Sequence, residues 1–136
     1  MSYLKFERAL VTNLEESLSR ELLRTNRSGA YSCSTIVDCN TRKYHGLLVV
    51  PVPELDNENH VLLSSLDVTV VQHGADFNLG LHRYQGNHFS PNGHKYIHAF
   101  NCDKVPTTIY RVGGVILRRE VVFQHYEDRI LIRYTL

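Results

Sequence analysis

The sequence is poor in several residue types that mark particular protein classes: its 136 residues include no tryptophan, one methionine, four prolines and three cysteines. Three is an odd number of cysteines and their spacing fits no disulfide framework. Cys33, Cys39 and Cys102 are therefore predicted to be free thiols in a reducing compartment. The net charge of +1 gives no basis for binding nucleic acid or an acidic membrane.

Long apolar runs are missing as well. No stretch approaches the length of about 20 apolar residues that a membrane-spanning helix needs. The first eight residues, Met1–Arg8, lack the apolar segment of a secretory signal peptide. We therefore expect a cytoplasmic protein with no membrane partner and no nucleic-acid partner.

The remaining composition, 43% hydrophobic and 21% charged residues, is typical of a globular protein, and the length fits one domain over residues 1–136. One helix is predicted, from Asn13 to about Leu23, because Asn13 can cap it and Glu16 completes a capping-box pattern. After it, about eight short β segments are joined mostly by short turns. This pattern favours an all-β fold, an antiparallel sandwich with one short N-terminal helix.

Four local patterns refine this picture. Residues 60–72 predict a long strand with a bulge or bend near residues 64–65. The polar, turn-rich residues 85–98 predict a surface loop. Gly113-Gly114 predicts a tight hairpin, because both glycines can take positive φ. A second hairpin is expected around residues 127–128.

The most informative stretch begins at Asn40. The apolar run Leu47–Val50, followed by Pro51, predicts a strand that is buried on both faces and ends where proline removes a donor. A basic and aromatic segment, residues 42–45, comes directly before this strand. A rigid strand that holds a polar loop is a common way to build a site, although a solvated basic turn is the alternative.

This stretch also carries a family resemblance. Residues 40–49 read N-T-R-K-Y-H-G-L-L-V, which resembles the N-T-R-R-Y-H-G-L-L of the N-terminal domain of bacterial and archaeal glycogen debranching enzymes, the amylo-α-1,6-glucosidase type. Residues 25–35 are similar to the family run T-N-G-x-G-G-Y-A-S-G-T. Residues 18–23 and 61–67 are similar to its S-R-E-W-L and V-L-L-S-K-L-D.

The chain departs from the family pattern at four positions. Arg27, Ala30 and Ser34 stand where the family has glycine, and Leu22 replaces a tryptophan. Because glycine adopts positive φ most readily, these replacements disfavour that conformation, and we expect the loop of residues 26–34 to depart from the family geometry.

The resemblance implies a fold and a partner. It implies a super-β-sandwich, galactose-mutarotase-like and similar to the glucoamylase N-terminal domain, which packs on a C-terminal helical-barrel catalytic domain that this chain lacks. The strand pattern stops at Leu136 without a turn, so we expect a truncated sandwich. Its exposed sheet edges favour self-association.

Glycoside hydrolysis needs two carboxyl groups about 5–9.5 Å apart. The sequence offers no such pair, since residues 15–16 and 127–128 fit a cap and a turn, and nothing pairs Asp38 with Asp67. The resemblance likewise implies that the catalytic carboxylates lie in the barrel. We therefore predict no catalytic residue in this chain.

The candidate substrate-binding or domain-interface residues are Asn40, Arg42, Tyr44 and His45. Arginine offers a rigid donor fork for hydroxyls or carboxylates, histidine can donate or accept, and tyrosine presents a flat face with a hydroxyl. Their alternative role is internal hydrogen bonding. No metal or cofactor is predicted, because the histidines at 82, 88, 94 and 98 lack zinc-site spacing and are expected to be scattered on the surface.

Three functions remain open. The chain is an accessory domain that acts on α-glucan or glycogen branch points together with its catalytic domain, a standalone carbohydrate-binding module, or a structural domain without a ligand. The absence of tryptophan counts against the second, since such modules stack sugars on aromatic rings, although eight tyrosines can substitute.

Overall fold

The computed structural model describes residues 4–136, which form thirteen strands, two short α-helices and one short 3-10 helix. The strands are β1 Leu4–Glu7, β2 Glu21–Thr25, β3 Tyr31–Thr35, β4 Gly46–Pro51, β5 Asn59–Leu63, β6 Thr69–Gln72, β7 Ala75–Asn78, β8 His82–Tyr84, β9 His88–Ser90, β10 Ile97–Cys102, β11 Pro106–Val112, β12 Val115–Phe123 and β13 Ile130–Thr135. The helices are α1 Arg8–Val11, α2 Leu14–Leu18 and the 3-10 helix Gly93–Tyr96. No helix in this part of the chain is long and apolar enough to cross a membrane.

The strands form two main sheets. One has five strands in the order β1-β10-β11-β12-β13, and the other has four in the order β2-β3-β4-β5. Two further hairpins, β6-β7 and β8-β9, complete the fold, and every strand pair is antiparallel. The prediction of an all-β antiparallel fold is confirmed.

The inner faces of the two main sheets meet in the interior. Leu22 and Leu47 from the smaller sheet line the same small cavity as Phe100 and Val121 from the larger one. Apolar residues of several elements continue this core: Val11, Ile36, Val37, Cys39, Leu79, Leu81, Ile97, Cys102, Tyr110, Val112 and Leu117. Burial of these side chains at about 25 cal/mol per Å² of apolar surface is the main force that holds the layers together.

The predicted single helix from Asn13 to Leu23 is wrong in number and extent, because two shorter helices form and Glu21–Thr25 is a strand. Asn13 does cap α2, accepting a hydrogen bond from the Glu16 backbone N–H at 3.4 Å. The Glu16 carboxylate, however, pairs with Arg20 at 2.8 Å. Glu21–Thr25 pairs with β3 over five residues, and this tertiary pairing overrides the local helical pattern.

Other local predictions fare differently. The single strand expected over residues 60–72 is instead two strands, β5 and β6, separated by irregular residues 64–68. The loop expected over residues 85–98 contains β9 and the 3-10 helix. The hairpin at Gly113-Gly114 is confirmed, with φ of 54° and 84°, and β12 and β13 form the second expected hairpin.

The three cysteines are free thiols and all are buried. Burial raises the pKa of the Cys39 thiol to about 11, so the reactive thiolate is scarce at neutral pH.

Candidate functional site

The outer face of the four-stranded sheet, which points away from the larger sheet, is unusually apolar. Leu23 lies opposite Cys33 and Thr25 opposite Tyr31, which places all four side chains on this face. Leu23 is 59% exposed. The outer face of an antiparallel sheet is commonly polar, so an exposed leucine beside Tyr31 makes this face a candidate contact surface.

A groove of about 700 Å³ runs along this face, and we refer to it as the outer groove. Alternate residues of β2 and β3, the turn between them and one residue before β4 line it: Glu21, Leu23, Thr25, Arg27, Gly29, Ala30, Tyr31, Cys33 and Tyr44. Its volume lies within the range of about 300–1,000 Å³ that is typical of small-molecule sites.

Gly46 allows the sheet to pack closely beneath the groove. A Cβ atom at this position would lie 2.7 Å from Val49 Cγ2 and 3.1 Å from Val61 Cγ1. Only glycine fits there without moving these side chains. Gly46 therefore allows β4 to begin immediately after His45, without a clash between neighbouring strands.

Glu21 is the centre of a polar cluster at one end of the groove. Its Oε1 accepts a hydrogen bond from Arg42 Nε at 2.5 Å, and its Oε2 accepts one from the Tyr44 hydroxyl at 3.2 Å. Partial burial raises the pKa of Glu21, but the donors Arg42 and Tyr44 outweigh it, so the net pKa lies below the usual value. Glu21 is therefore a carboxylate at neutral pH.

His45 lies beneath this cluster with a fully buried side chain. Its Nδ1 accepts hydrogen bonds from the backbone N–H groups of Thr41 at 2.9 Å and Arg42 at 3.3 Å. Because a backbone N–H can only donate, Nδ1 carries no proton, and the neutral ring carries its proton on Nε2. His45 thus holds the loop that carries Arg42 and Tyr44 in a fixed conformation.

The Nε2–H of His45 is left without a good partner. It lies 3.1 Å from Glu21 Oε1, but the alignment falls short of a hydrogen bond, and Nε2 has no other partner within residues 4–136. Buried donors normally have a hydrogen-bond partner, so this N–H group is an exception, with the Glu21 carboxylate as its neighbour.

Glu21, Cys33 and His45 could be taken for a metal site, since their ligand atoms lie within 4.8 Å of one another. The hydrogen bonds to Nδ1 argue against it, because a metal at Nε2 requires a lone pair where the proton resides. The Arg42 guanidinium also competes for the Glu21 carboxylate. These residues therefore do not fit a divalent cation.

The same three residues do not fit a thiol nucleophile. Burial raises the pKa of the Cys33 thiol, and the nearby Glu21 carboxylate raises it further. A reactive cysteine needs the opposite, an environment that stabilises the thiolate. The His45 Nε2–H also cannot accept the thiol proton, so the cluster suits binding rather than covalent chemistry.

The structure separates Asn40 from the other three candidate residues. Its Oδ1 accepts from Ser34 Oγ at 2.8 Å, and its Nδ2 donates to the Ser64 carbonyl at 2.9 Å and to Ser64 Oγ at 3.2 Å. Ser34 and Asn40 line a cavity on the inner side of the sheet. Asn40 therefore ties β3 to the segment after β5, whereas Arg42, Tyr44 and His45 converge on Glu21.

The turn between β2 and β3 is organised by Asn26, which is fully buried. Its Oδ1 accepts from the backbone N–H groups of Ser28 at 2.9 Å and Ala30 at 3.1 Å. Arg27 has a φ of 67°, so the expectation that loss of glycine disfavours positive φ is wrong at this position. The two bonds to the Asn26 side chain hold Arg27 in a conformation that arginine rarely adopts.

Asp38 and Asp67 line one cavity, but each already has a side-chain partner. The Asp38 carboxylate accepts from Arg119, and Asp67 Oδ2 lies 2.7 Å from His82 Nε2. The enclosed space of about 30 Å³ has room for one or two waters.

Of the four histidines at 82, 88, 94 and 98, which are expected on the surface, His94 is buried, and burial lowers its pKa.

Glu21 is the site residue that the sequence reasoning missed. It lies in the S-R-E-L-L run, which the sequence pattern places in the predicted helix. In a strand Glu21, Leu23 and Thr25 share one face, but Leu22 and Leu23 fit a helical stripe as well as a strand, so the sequence alone gives no signal that singles out Glu21.

The fold and the cluster together define an all-β domain that presents a fixed polar site at one end of a groove of mixed polarity. A family model described as glycogen debranching enzyme N terminal matches residues 20–136, and the chain belongs to this family. The resemblance seen in the sequence is thereby confirmed. Comparison with curated proteins and with solved structures gives no match.

Proposed function

We propose that the chain is the accessory N-terminal domain of a cytoplasmic glycogen debranching enzyme, a glycoside hydrolase of glycogen catabolism. It contributes to the hydrolysis of α-1,6 branch points by packing on a helical-barrel catalytic domain. The loop that carries Arg42 and Tyr44 reaches the rim of that domain's sugar pocket. The catalytic carboxylates belong to the barrel.

The observation that carries this proposal is the cluster around Glu21. Arg42 and Tyr44 are held by hydrogen bonds, yet 62% of the Arg42 side chain and 47% of Tyr44 are exposed. Side chains that are fixed and exposed together suit contact with a partner or a sugar, because little conformational entropy is lost on binding. Glu21 is the one carboxylate in the described lining of the groove, so the cluster lacks the pair that hydrolysis requires.

Reconstitution in trans tests the proposal. The chain is mixed with the helical-barrel domain of a glycogen debranching enzyme, and glucose release from a branched limit dextrin is measured. We expect activity well above that of the barrel domain alone. Arg42→Ala is expected to lower kcat/KM about tenfold, the loss of one charge-assisted contact of about 1.4 kcal/mol.

Arg133→Ala is the matched control. Arg133 forms an exposed ion pair with Glu120 at 2.7 Å on the other sheet, as Arg42 does with Glu21. It should leave the reconstituted activity unchanged. If the wild-type chain adds nothing to the barrel domain, or if Arg133→Ala and Arg42→Ala reduce activity equally, the proposed role of the loop is wrong.

A further inference from the structure

We propose that the outer groove is itself a binding site for a short α-glucan, a neutral chain of α-linked glucose units. This inference rests on the proposed function for the identity of the sugar. It goes beyond that function because it assigns binding to the sheet face formed by β2 and β3. The proposed function requires only the loop before β4.

The lining of the groove has the mixed chemistry that a sugar needs. A glucose ring has an apolar face of C–H groups and a rim of hydroxyls. Leu23, Cys33 and the ring of Tyr31 supply an apolar floor, while Glu21 and Thr25 supply hydrogen-bonding groups along the same face. A purely apolar peptide or lipid would leave the Glu21 carboxylate desolvated and without a new partner.

The two tyrosines of the groove are fixed in advance. The Tyr31 hydroxyl donates to the Tyr44 carbonyl oxygen at 2.9 Å, and the Tyr44 hydroxyl donates to Glu21 Oε2 at 3.2 Å. A bound ligand therefore does not have to order these rings, which reduces the entropy lost on binding. Tyrosine rings fixed in this way can take the stacking role for which tryptophan is often used.

His45 supports the groove from beneath. Its side chain is fully buried and is not among the residues that line the groove, and its Nε2 lies 3.1 Å from Glu21 Oε1. Its part is to hold the loop that carries Arg42 and Tyr44, through the backbone N–H groups of Thr41 and Arg42 that donate to its Nδ1.

The charges of the groove favour a neutral ligand. Glu21 and Arg27 bring one negative and one positive group to the lining. An anionic ligand would meet the Glu21 carboxylate, and a cationic one would meet Arg27 and the neighbouring Arg42. The balanced charge of the lining therefore favours an uncharged ligand.

The test is a titration of the purified chain with maltoheptaose, followed by backbone amide shifts in NMR. We expect shifts centred on residues 21–33 and a dissociation constant in the millimolar range or below. Cellohexaose, which is β-linked, is expected to cause no saturable shifts. Leu23→Lys and, as a second variant, Thr25→Lys should each weaken binding by at least about tenfold, since a lysine side chain occupies the groove.

Leu131→Lys is the control, because Leu131 is a similarly exposed leucine on the other sheet, 50% exposed against 59% for Leu23. It should change the affinity less than twofold. Silence at about 10 mM maltoheptaose, equal binding of cellohexaose, or unchanged affinity in folded Leu23→Lys and Thr25→Lys would each overturn the inference. Reconstituted debranching activity without sugar binding by the chain would disprove the groove site alone, whereas sugar binding without reconstitution would disprove the accessory role alone.

Discussion

Replacing Asp38 by asparagine should destabilise the fold far more than replacing its partner Arg119 by methionine. Arg119 is 6% exposed, and its Nη1 donates to the Asp38 carboxylate, whereas 41% of the Asp38 side chain is exposed. Asparagine is chosen because Asp38 has a φ of 56°, a conformation that asparagine tolerates. The substitution thus removes the charge with little change in shape.

The expected loss in the free energy of unfolding depends on which of the two charged groups remains without its partner. Asp38→Asn leaves a guanidinium in the interior without a counter-ion, and breaking a buried pair in this way costs about 3–5 kcal/mol. The asparagine oxygen still accepts a hydrogen bond from Arg119, so we expect a loss in stability at the lower end of this range, about 3 kcal/mol. Arg119→Met leaves a carboxylate that water already reaches, and we expect about 1 kcal/mol. The double variant should have about the same stability as Arg119→Met, because it contains no buried guanidinium without a counter-ion.

Urea unfolding followed by circular dichroism measures all four chains. A loss of about 3 kcal/mol is a large share of the 5–15 kcal/mol typical of a domain and corresponds to a fall in Tm of about 10 °C. The decisive comparison is the double variant, which should be about 2 kcal/mol more stable than Asp38→Asn alone. Additive losses, or a loss below about 1 kcal/mol in Asp38→Asn, would refute the reasoning.

Four further outcomes are expected. Asn26→Ala should cost about 3 kcal/mol in urea unfolding, because it strips the partners from two backbone N–H groups of its turn; a loss similar to that of an exposed Asn59→Ala would contradict this. Gly114→Ala should lower stability by about 1 kcal/mol through its φ of 84° alone, since no atom lies within 4 Å of the added Cβ, and Gly114→Asn should lose less. Glu21 has a lowered pKa in the folded chain, so its stabilisation is present above its usual pKa of about 4.3 and is lost as pH falls through the folded value; Glu21→Gln should therefore flatten the dependence of Tm on pH between about 5 and 3, and an unchanged slope would count against the cluster. Ellman's reagent should label no thiol of the native chain within minutes and three in urea, and rapid labelling of Cys39 would contradict its burial.

The parts of the fold that the sequence predicts well are those set by local chemistry. Pro51 ends β4, Gly113-Gly114 turns the chain, and Asn13 caps a helix, each through the conformational limits of one or two residues. β2 could not be predicted in this way. Its leucines at 22 and 23 fit a helical stripe as well as a strand, and the pairing with β3 decides between them.

The candidate site shows the same division. Arg42, Tyr44 and His45 stand out because they are polar and lie next to an apolar strand. Glu21, which gathers them, is 21 residues from Arg42 in the chain, and only the register of β2 on β3 brings them together. Asn40 belongs to the same run of sequence but turns to the inner side of the sheet, where it bonds Ser64.

The buried Asn26 also has a bearing on how the chain reaches its native state. Its Nδ2 donates to the Glu127 carbonyl, 101 residues away, and its carbonyl accepts from the Tyr126 backbone N–H at 2.6 Å. β1 likewise pairs with β10, far along the chain. Contacts of such long sequence separation must close large loops before they stabilise the fold, so we expect folding to be slower than in a protein with mostly local contacts. During synthesis, we expect the hydrogen bonds between Asn26 and residues 126–127 to form only after nearly the whole described chain has left the ribosome.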